Sequence, residues 1–495
     1  MKQVYNPYLP LECYIPDGEP HIFDDRLYIY GSHDKEGGTT FCMLDYEVWS
    51  APVNDLTDWR CEGTIYHAVQ DPAHGEICQY MYAPDVVRGN DGRYYLYYAM
   101  AGGCFTSTIH VAVCDTPAGQ YEYYGVVQNP DGTPFTRKIT FDPGLLNDDG
   151  VIRLYYGWAM GTEKIGLLPE FALKAIRAKL RPMEMQLFGK TEAELDAEPD
   201  GIQGAFTVIL ADDMLTVTSE PVRIVPGQLY AAGTSFEGHA FFEASSMRKI
   251  GDTYYFIYSS QVNHELCYAT SRCPDKDFCY GGVLISNGDI GYNGRKAKDR
   301  LAITGNNHGS LIEIGGQWYI FYHRHTNKTC YSRQGCAEKI TRNPDGSFAQ
   351  AEMTSCGLNP APLLPQGSYP AAIACNLTNG KMPHIEQDGV KDDIPYITCA
   401  NGERIIADIT NGTQIGYKYF AFSGPLRLTL WLRSSAEGTF TVKIGETKVG
   451  SIATAPSEMW QPYSLTVNAQ GTQPLYLIYK GKGRVELQSI AFEEA

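Results

Sequence analysis

Five ionisable residues recur at one position of a 495-residue chain. They are Asp17 in YIPDGEPHIF, Asp85 in MYAPDVVRG, Asp142 in TFDPGLL, Glu243 in FFEASSMRK and His308 in NNHGSLIEI. Each stands 10 to 12 residues before an equivalent position of an aromatic segment, namely Tyr28, Tyr95, Leu154, Tyr255 and Tyr319. A single acid in an apolar run is more often a structural hydrogen-bonding group, so the weight here rests on the repetition. Four carboxyl groups and an imidazole brought together would repel unless they did chemistry or held a cation. Carboxyl groups on either side of a pocket are what glycoside hydrolysis requires. One protonates the leaving oxygen, and the other acts as base or nucleophile. Glu243 suits the acid, since Phe241 and Phe242 favour the neutral form by desolvation and a nearby carboxylate would raise its pKa further. A base must stay ionised, and Asp17, beside Gly18 and close to Glu19, has the more polar setting. Glu19 lies on the same side of a strand and could replace Asp17 in a shifted register.

The elements that must position these groups follow from the aromatic segments: DDRLYIYGS (24–32), DGRYYLYYA (91–99), DGVIRLYYGW (149–158), GDTYYFIYSS (251–260) and GGQWYIFYHR (315–324). With Tyr28, Tyr95, Leu154, Tyr255 and Tyr319 as equivalent positions, the spacings are 67, 59, 101 and 64 residues. The long spacing holds the helical stretches FALKAIRAKLR (171–181) and TEAELDAE (191–198), the second opening on a capping box from Thr191 to Glu194. Units of about 60 residues with several short strands fit the four-stranded blades of a β-propeller. The expected fold is all-β: a five-bladed propeller over residues 1–370 with a helical insertion at about 165–204. In such a ring the innermost strands line the axis, so equivalent positions converge.

After the proline-rich NPAPLLPQGSYP (359–370), residues 373–495 alternate apolar and polar, as in LRLTLWLRS and TFTVKIGE. That pattern predicts a β-sandwich domain. The formal net charge of -17 makes nucleic acid and anionic membrane surfaces improbable partners, and no apolar stretch approaches the length of a membrane span. A neutral substrate fits that balance. The N-terminal sequence has no apolar signal core, so a cytoplasmic protein is expected, with its 14 cysteines reduced and lacking the spacing of a zinc site.

The ordered set of Asp17, APDV (83–86), FDP (141–143) and FEASS (242–246) resembles glycoside hydrolase family 43 over about residues 5 to 345. The resemblance implies an inverting hydrolase on a five-bladed propeller, acting on short arabinose- or xylose-containing oligosaccharides. By position it implies Asp17 as base, Asp142 as the residue that orients substrate and tunes the acid, and Glu243 as acid. Asp85 is then a pocket-wall or structural residue, and His308 a group near the axis that binds substrate or holds a structural calcium. No cofactor is implied for the chemistry. Phe242 and Trp158 are candidates to line the sugar pocket, with Trp318 a second tryptophan that could stack or pack in the core. The sequence departs from the family in reading Asp17-Gly18 where proline usually follows the base, and Tyr82 where tryptophan is usual. The C-terminal domain resembles a family 6 carbohydrate-binding module, GTQIGYKYFAFSG (412–424) most of all. Alternative readings are a fructan hydrolase, a glycoside phosphorylase, or a sugar-binding propeller without activity.

Overall fold

In a computed structural model of the chain, which describes residues 3–76, 78–101, 105–160, 169–385, 389–390 and 393–494, the aromatic segments form the second strands of antiparallel meanders. The first sheet contains β1 (Glu19–Phe23), β2 (Arg26–Tyr30), β3 (Tyr46–Pro52) and β4 (Arg60–Tyr66). The second contains β5 (Tyr80–Arg88), β6 (Tyr94–Ala101), β7 (Phe105–Cys114) and β8 (Glu122–Val126). The third contains β9 (Gly144–Asp148), β10 (Val151–Trp158), β11 (Gly204–Leu210) and β12 (Val222–Pro226). The fourth contains β13 (Phe241–Ile250), β14 (Thr253–Ser260), β15 (Leu266–Ser271) and β16 (Cys279–Ile285). The fifth has three strands, β17 (Leu311–Ile314), β18 (Gln317–His325) and β19 (Arg333–Ile340).

Apolar clusters join these sheets pairwise. Tyr30 buries with Leu96, Val111 with Leu154, Tyr155 with Phe256, and Ile257 with Ile320. Ile29 then buries with Phe321, which returns to the first sheet and closes a five-bladed propeller. The rings are often tyrosine because the hydroxyl reaches a partner that phenylalanine would leave unpaired. Tyr97 donates to the Met214 carbonyl at 2.6 Å, and Tyr98 to Asp71 at 2.5 Å. The start of the chain covers the three-stranded blade. There the Asn6 amide donates to the Ala337 carbonyl at 2.9 Å, and its oxygen accepts the Ala337 N–H at 3.0 Å. One side chain thereby copies the two hydrogen bonds of a strand neighbour.

The helical insertion leaves the ring between β10 and β11. Helix α1 (Glu170–Phe188) ends at Gly189 in the left-handed conformation. Helix α2 (Glu192–Asp196) starts with the capping box read in the sequence: Glu194 donates its N–H to Thr191 Oγ1 at 3.3 Å, and Thr191 donates its N–H to Glu194 at 2.7 Å. Phe188, Leu195 and Ile202 pack against Ile139 and Phe141, which sets the insertion beside the third blade.

The C-terminal unit is one hydrogen-bonded sheet of nine strands beginning at Gly367–Pro370. Strands Gln414–Ser434 and Ser457–Gly481, 21 and 25 residues long, bend over a shared core as a β-sandwich. Leu426, Leu428, Leu430 and Leu432 are buried while Arg427 and Trp431 face outward, the alternation expected of a one-sided strand. Tyr417 and Phe420, in the stretch most like a carbohydrate-binding module, are fully buried and serve that core rather than a sugar. The expectation that every cysteine is reduced fails at Cys78, which is disulfide-bonded, while twelve others are free. Among the described residues no helix is long and apolar enough to cross a membrane.

Candidate active site

Four of the five recurring residues stand where innermost strands begin. Asp17 and Asp142 lie just ahead of β1 and β9, Glu243 is the third residue of β13, and His308 shortly precedes β17. The backbone is strained at three of these places. Asp17 and Asp142 have φ of 57° and 45°, and Ala244, next to Glu243, has φ of 72°. β13 slips register against β14 on both sides of Glu243, and this bulge re-aims the carboxyl toward the axis. Left-handed backbone at such residues costs about 1–3 kcal/mol each, so the surroundings must enforce it. Part of that enforcement is the Ala244 N–H, which donates to Asp142 Oδ2 at 2.9 Å. Gly144 adds to it, since a Cβ there would lie 2.4 Å from the Ser245 carbonyl and hold blades three and four apart.

Asp17 is buried and accepts from Arg333 Nη1 at 2.9 Å. Asp34 locks the same guanidinium by accepting from Nε at 2.8 Å and Nη2 at 3.0 Å. His323 donates Nε2–H to the Asn306 carbonyl at 2.8 Å and sets its Nδ1 3.2 Å from Asp17 Oδ1, where a proton on Nδ1 is donated to the carboxylate. Burial alone would raise the Asp17 pKa. The Arg333 charge, with His323 and His308, instead holds it well below the usual carboxylate range. Glu243 moves the opposite way, pushed up to about 8 by burial first and then by the charge of Asp17. Asp142 is also pushed well above its ordinary value, by burial and then by Glu243. The Asp142 and Glu243 charges raise each other, and burial and the charge of Asp17 raise Glu243 as well. His308 is buried and shifted down to about 4, hence a neutral imidazole, with Nδ1 3.6 Å from Asp142 Oδ2.

Asp85 does not join this group. Its oxygens accept from Val86 N–H and Leu145 N–H, each at 2.6 Å, and pair with His21 Nε2 at 2.6 Å, tying three blades together. Glu19, the alternative base, lies on the same stretch of the axis and accepts from Arg248 Nη2 at 2.5 Å and Ser246 Oγ at 2.9 Å. Among the described residues Glu19, His21 and Asp85 form a group that could hold a metal ion, and His308 belongs to none. Calcium takes six to eight oxygen ligands. Here the carboxylates are engaged by protein donors and the Arg248 guanidinium already supplies the positive charge, so the donor set does not fit that ion.

Aromatic rings surround the carboxyl groups. Phe41 packs on Tyr331 and Tyr82, Tyr82 on Phe141, and Phe141 on Trp158, with centroid separations of 4.8 to 6.3 Å. Trp158 also meets Phe188 of the insertion edge-on at 5.2 Å, so it packs the insertion against the third blade. Phe242 stays half-buried beside Glu243, whereas Phe241 is wholly buried in the core between blades three and four. Trp318 packs against Phe348 and takes no part. The residues that sequence reasoning missed are Arg333, His323 and Asp34. They come from β19, β18 and the loop after β2, outside the repeated position, and only the unusual YHRH (322–325) hinted at them.

Residues 14–198 match the profile of glycosyl hydrolases family 43. Over 514 aligned residues the chain is 44% identical to a xylosidase/arabinosidase of Thermoclostridium stercorarium, covering 99% of this chain and 98% of that protein. A xylosidase/arabinosidase of Bacteroides ovatus is 30% identical over 329 residues, 64% of this chain and 87% of that protein. Among solved structures, the GH43_1 enzyme of Xanthomonas citri complexed with xylose shares the fold, with a TM-score of 0.51 at 23% identity over 71% of this chain and 93% of that one. With the relation to the Thermoclostridium protein running the full length, the chain belongs to glycosyl hydrolases family 43 and is a glycosidase.

Proposed function

We propose that this glycosidase removes one neutral pentose at a time, L-arabinofuranose or D-xylose, from short plant-polysaccharide oligosaccharides, with inversion at the anomeric carbon. The observation that carries the reading is the convergence at the inner ends of the blades of Asp17, held by Arg333, and of Asp142, hydrogen-bonded to the backbone next to Glu243. Ionised Asp17, steadied by Arg333 and His323, accepts a proton from water as that water attacks the anomeric carbon. Protonated Glu243 gives its proton to the glycosidic oxygen as the bond to the leaving group breaks. Asp142, held by the Ala244 N–H next to Glu243, is placed to bind a sugar hydroxyl. The pentose class is supported by the names of the two relatives. Hydrolysis by these residues calls for no cofactor, and we propose that Arg248, rather than calcium, neutralises the axial carboxylates. Purified protein should hydrolyse 4-nitrophenyl α-L-arabinofuranoside or β-D-xyloside, Glu243→Gln should lose turnover of the matching unactivated oligosaccharide, and NMR of the first product should show the inverted anomer. Inactivity on both substrates, or a retained anomer, would reject this reading.

A further inference from the structure

Just after the strand Asn376–Thr378 of the C-terminal unit, the chain returns to the propeller. His384 is its point of contact. The backbone at Thr304 pairs with it, donating N–H to the Pro383 carbonyl at 3.2 Å and accepting the Ile385 N–H at 2.7 Å. His384 Nδ1 lies 3.0 Å from Thr304 Oγ1, which fixes the ring plane. That ring stacks on His264 with centroids 4.9 Å apart and planes 10° from parallel. His264 in turn meets Phe242 edge-on at 4.5 Å. All three rings remain half-buried, and Phe242 adjoins the proposed acid.

Position decides what such a surface would touch. The acid protonates the oxygen that departs, so the side of the pocket next to Glu243 faces the leaving portion of the substrate, while the sugar being released lies between Glu243 and Asp17. Accepting the proposed function, we infer that Phe242, His264 and His384 form a platform for the leaving-group sugar, and that the C-terminal unit supplies part of the substrate site through His384. Flat apolar ring faces suit the C–H face of a neutral sugar. Burial holds His264 down at about 3 and His384 at about 4, so both imidazoles are uncharged at neutral pH. The C-terminal unit is then a component of the catalytic site rather than a tethered carbohydrate binder.

The test uses the full-length enzyme with His384→Ala and His384→Phe. Xylobiose probes both halves of the pocket, and inhibition by free xylose probes the half that holds the released sugar. His384→Ala should raise KM for xylobiose about tenfold, the size expected for losing one ring contact. Its inhibition constant for xylose should stay within twofold of the wild type. His384→Phe, which keeps a flat ring, should recover most of the loss. An unchanged KM, a parallel weakening of xylose, or a phenylalanine variant as poor as the alanine one would overturn the inference. Should His384→Ala fail to fold, the phenylalanine variant alone decides: a KM near the wild type agrees with a ring platform, and a tenfold rise contradicts it. Wild-type enzyme that cleaves no pentoside at all would instead reject the proposed function, a separate outcome.

Discussion

Two carboxyl groups of the same family of side chains end up in opposite charge states because their neighbours differ. Asp17 faces a guanidinium that Asp34 holds in place, whereas Glu243 meets desolvation and the charge of Asp17 itself. Arg333→Gln should therefore move both limbs of the pH–rate profile upward. Losing the positive charge lets the Asp17 pKa rise and carries the acidic limb to higher pH. The same charge lowers the Glu243 pKa, so the alkaline limb rises as well. The variant should also lose about 3–5 kcal/mol of stability in denaturant unfolding, since two buried carboxylates lose their partner. A second consequence concerns stability alone. A carboxyl whose folded pKa lies above its unfolded value costs stability as pH rises from the ordinary glutamate range through about 8. Glu243→Gln should abolish turnover of unactivated oligosaccharides, match the wild-type Tm near pH 4, and exceed it by a few degrees at pH 8.5. Repetition of the blade put Asp17, Asp85, Asp142, Glu243 and His308 in register, and the family resemblance singled out Asp17, Asp142 and Glu243 among them. Arg333 and His323 were not legible in the sequence, because a residue that acts through another occupies no repeated position.

At the scale of elements, the site depends on how closely blades three and four approach. Gly144 permits that approach, and the bulge at Glu243–Ala244 converts it into aim. Gly144→Ala should cost about 1–3 kcal/mol by forcing the blades apart. It should lower kcat more than it raises KM, since the Asp142–Ala244 hydrogen bond sits at that junction. Equal effects on both parameters would show that the junction only supports the fold. The propeller could be read from aromatic strands and spacing, and α2 from its capping box. The three-stranded fifth blade could not, because the chain start that covers it pairs through the Asn6 side chain rather than through a strand pattern.

At the scale of the whole molecule, propeller and sandwich are joined by buried polar contacts. Lys418 pairs with Asp289 at 3.1 Å and with Glu352 at 2.9 Å, and Arg324 donates to the Ala372 and Ala374 carbonyls at 2.8 and 3.1 Å. Arg404 pairs with Glu36. Burying these charges is tolerable only while their partners stay in place, so the two units should unfold together. Scanning calorimetry should give one transition, and Lys418→Met should lower its midpoint without splitting it. Two separated transitions would mean the units are independent. The sandwich was visible as period-two alternation, whereas its docking was not, because residues such as Lys418 and His384 find partners far away in sequence.

The central claim is that the Glu243 proton sets the alkaline limit of catalysis, and a substrate with an activated leaving group tests it most directly. Such a substrate needs little protonation, so Glu243→Ala should retain measurable turnover on a dinitrophenyl pentoside. The wild-type profile of kcat/KM should fall on the alkaline side with an apparent pKa near 8. In Glu243→Ala that fall should vanish while the acidic limb of Asp17 remains. An alkaline limb left in place by Glu243→Ala would contradict the account.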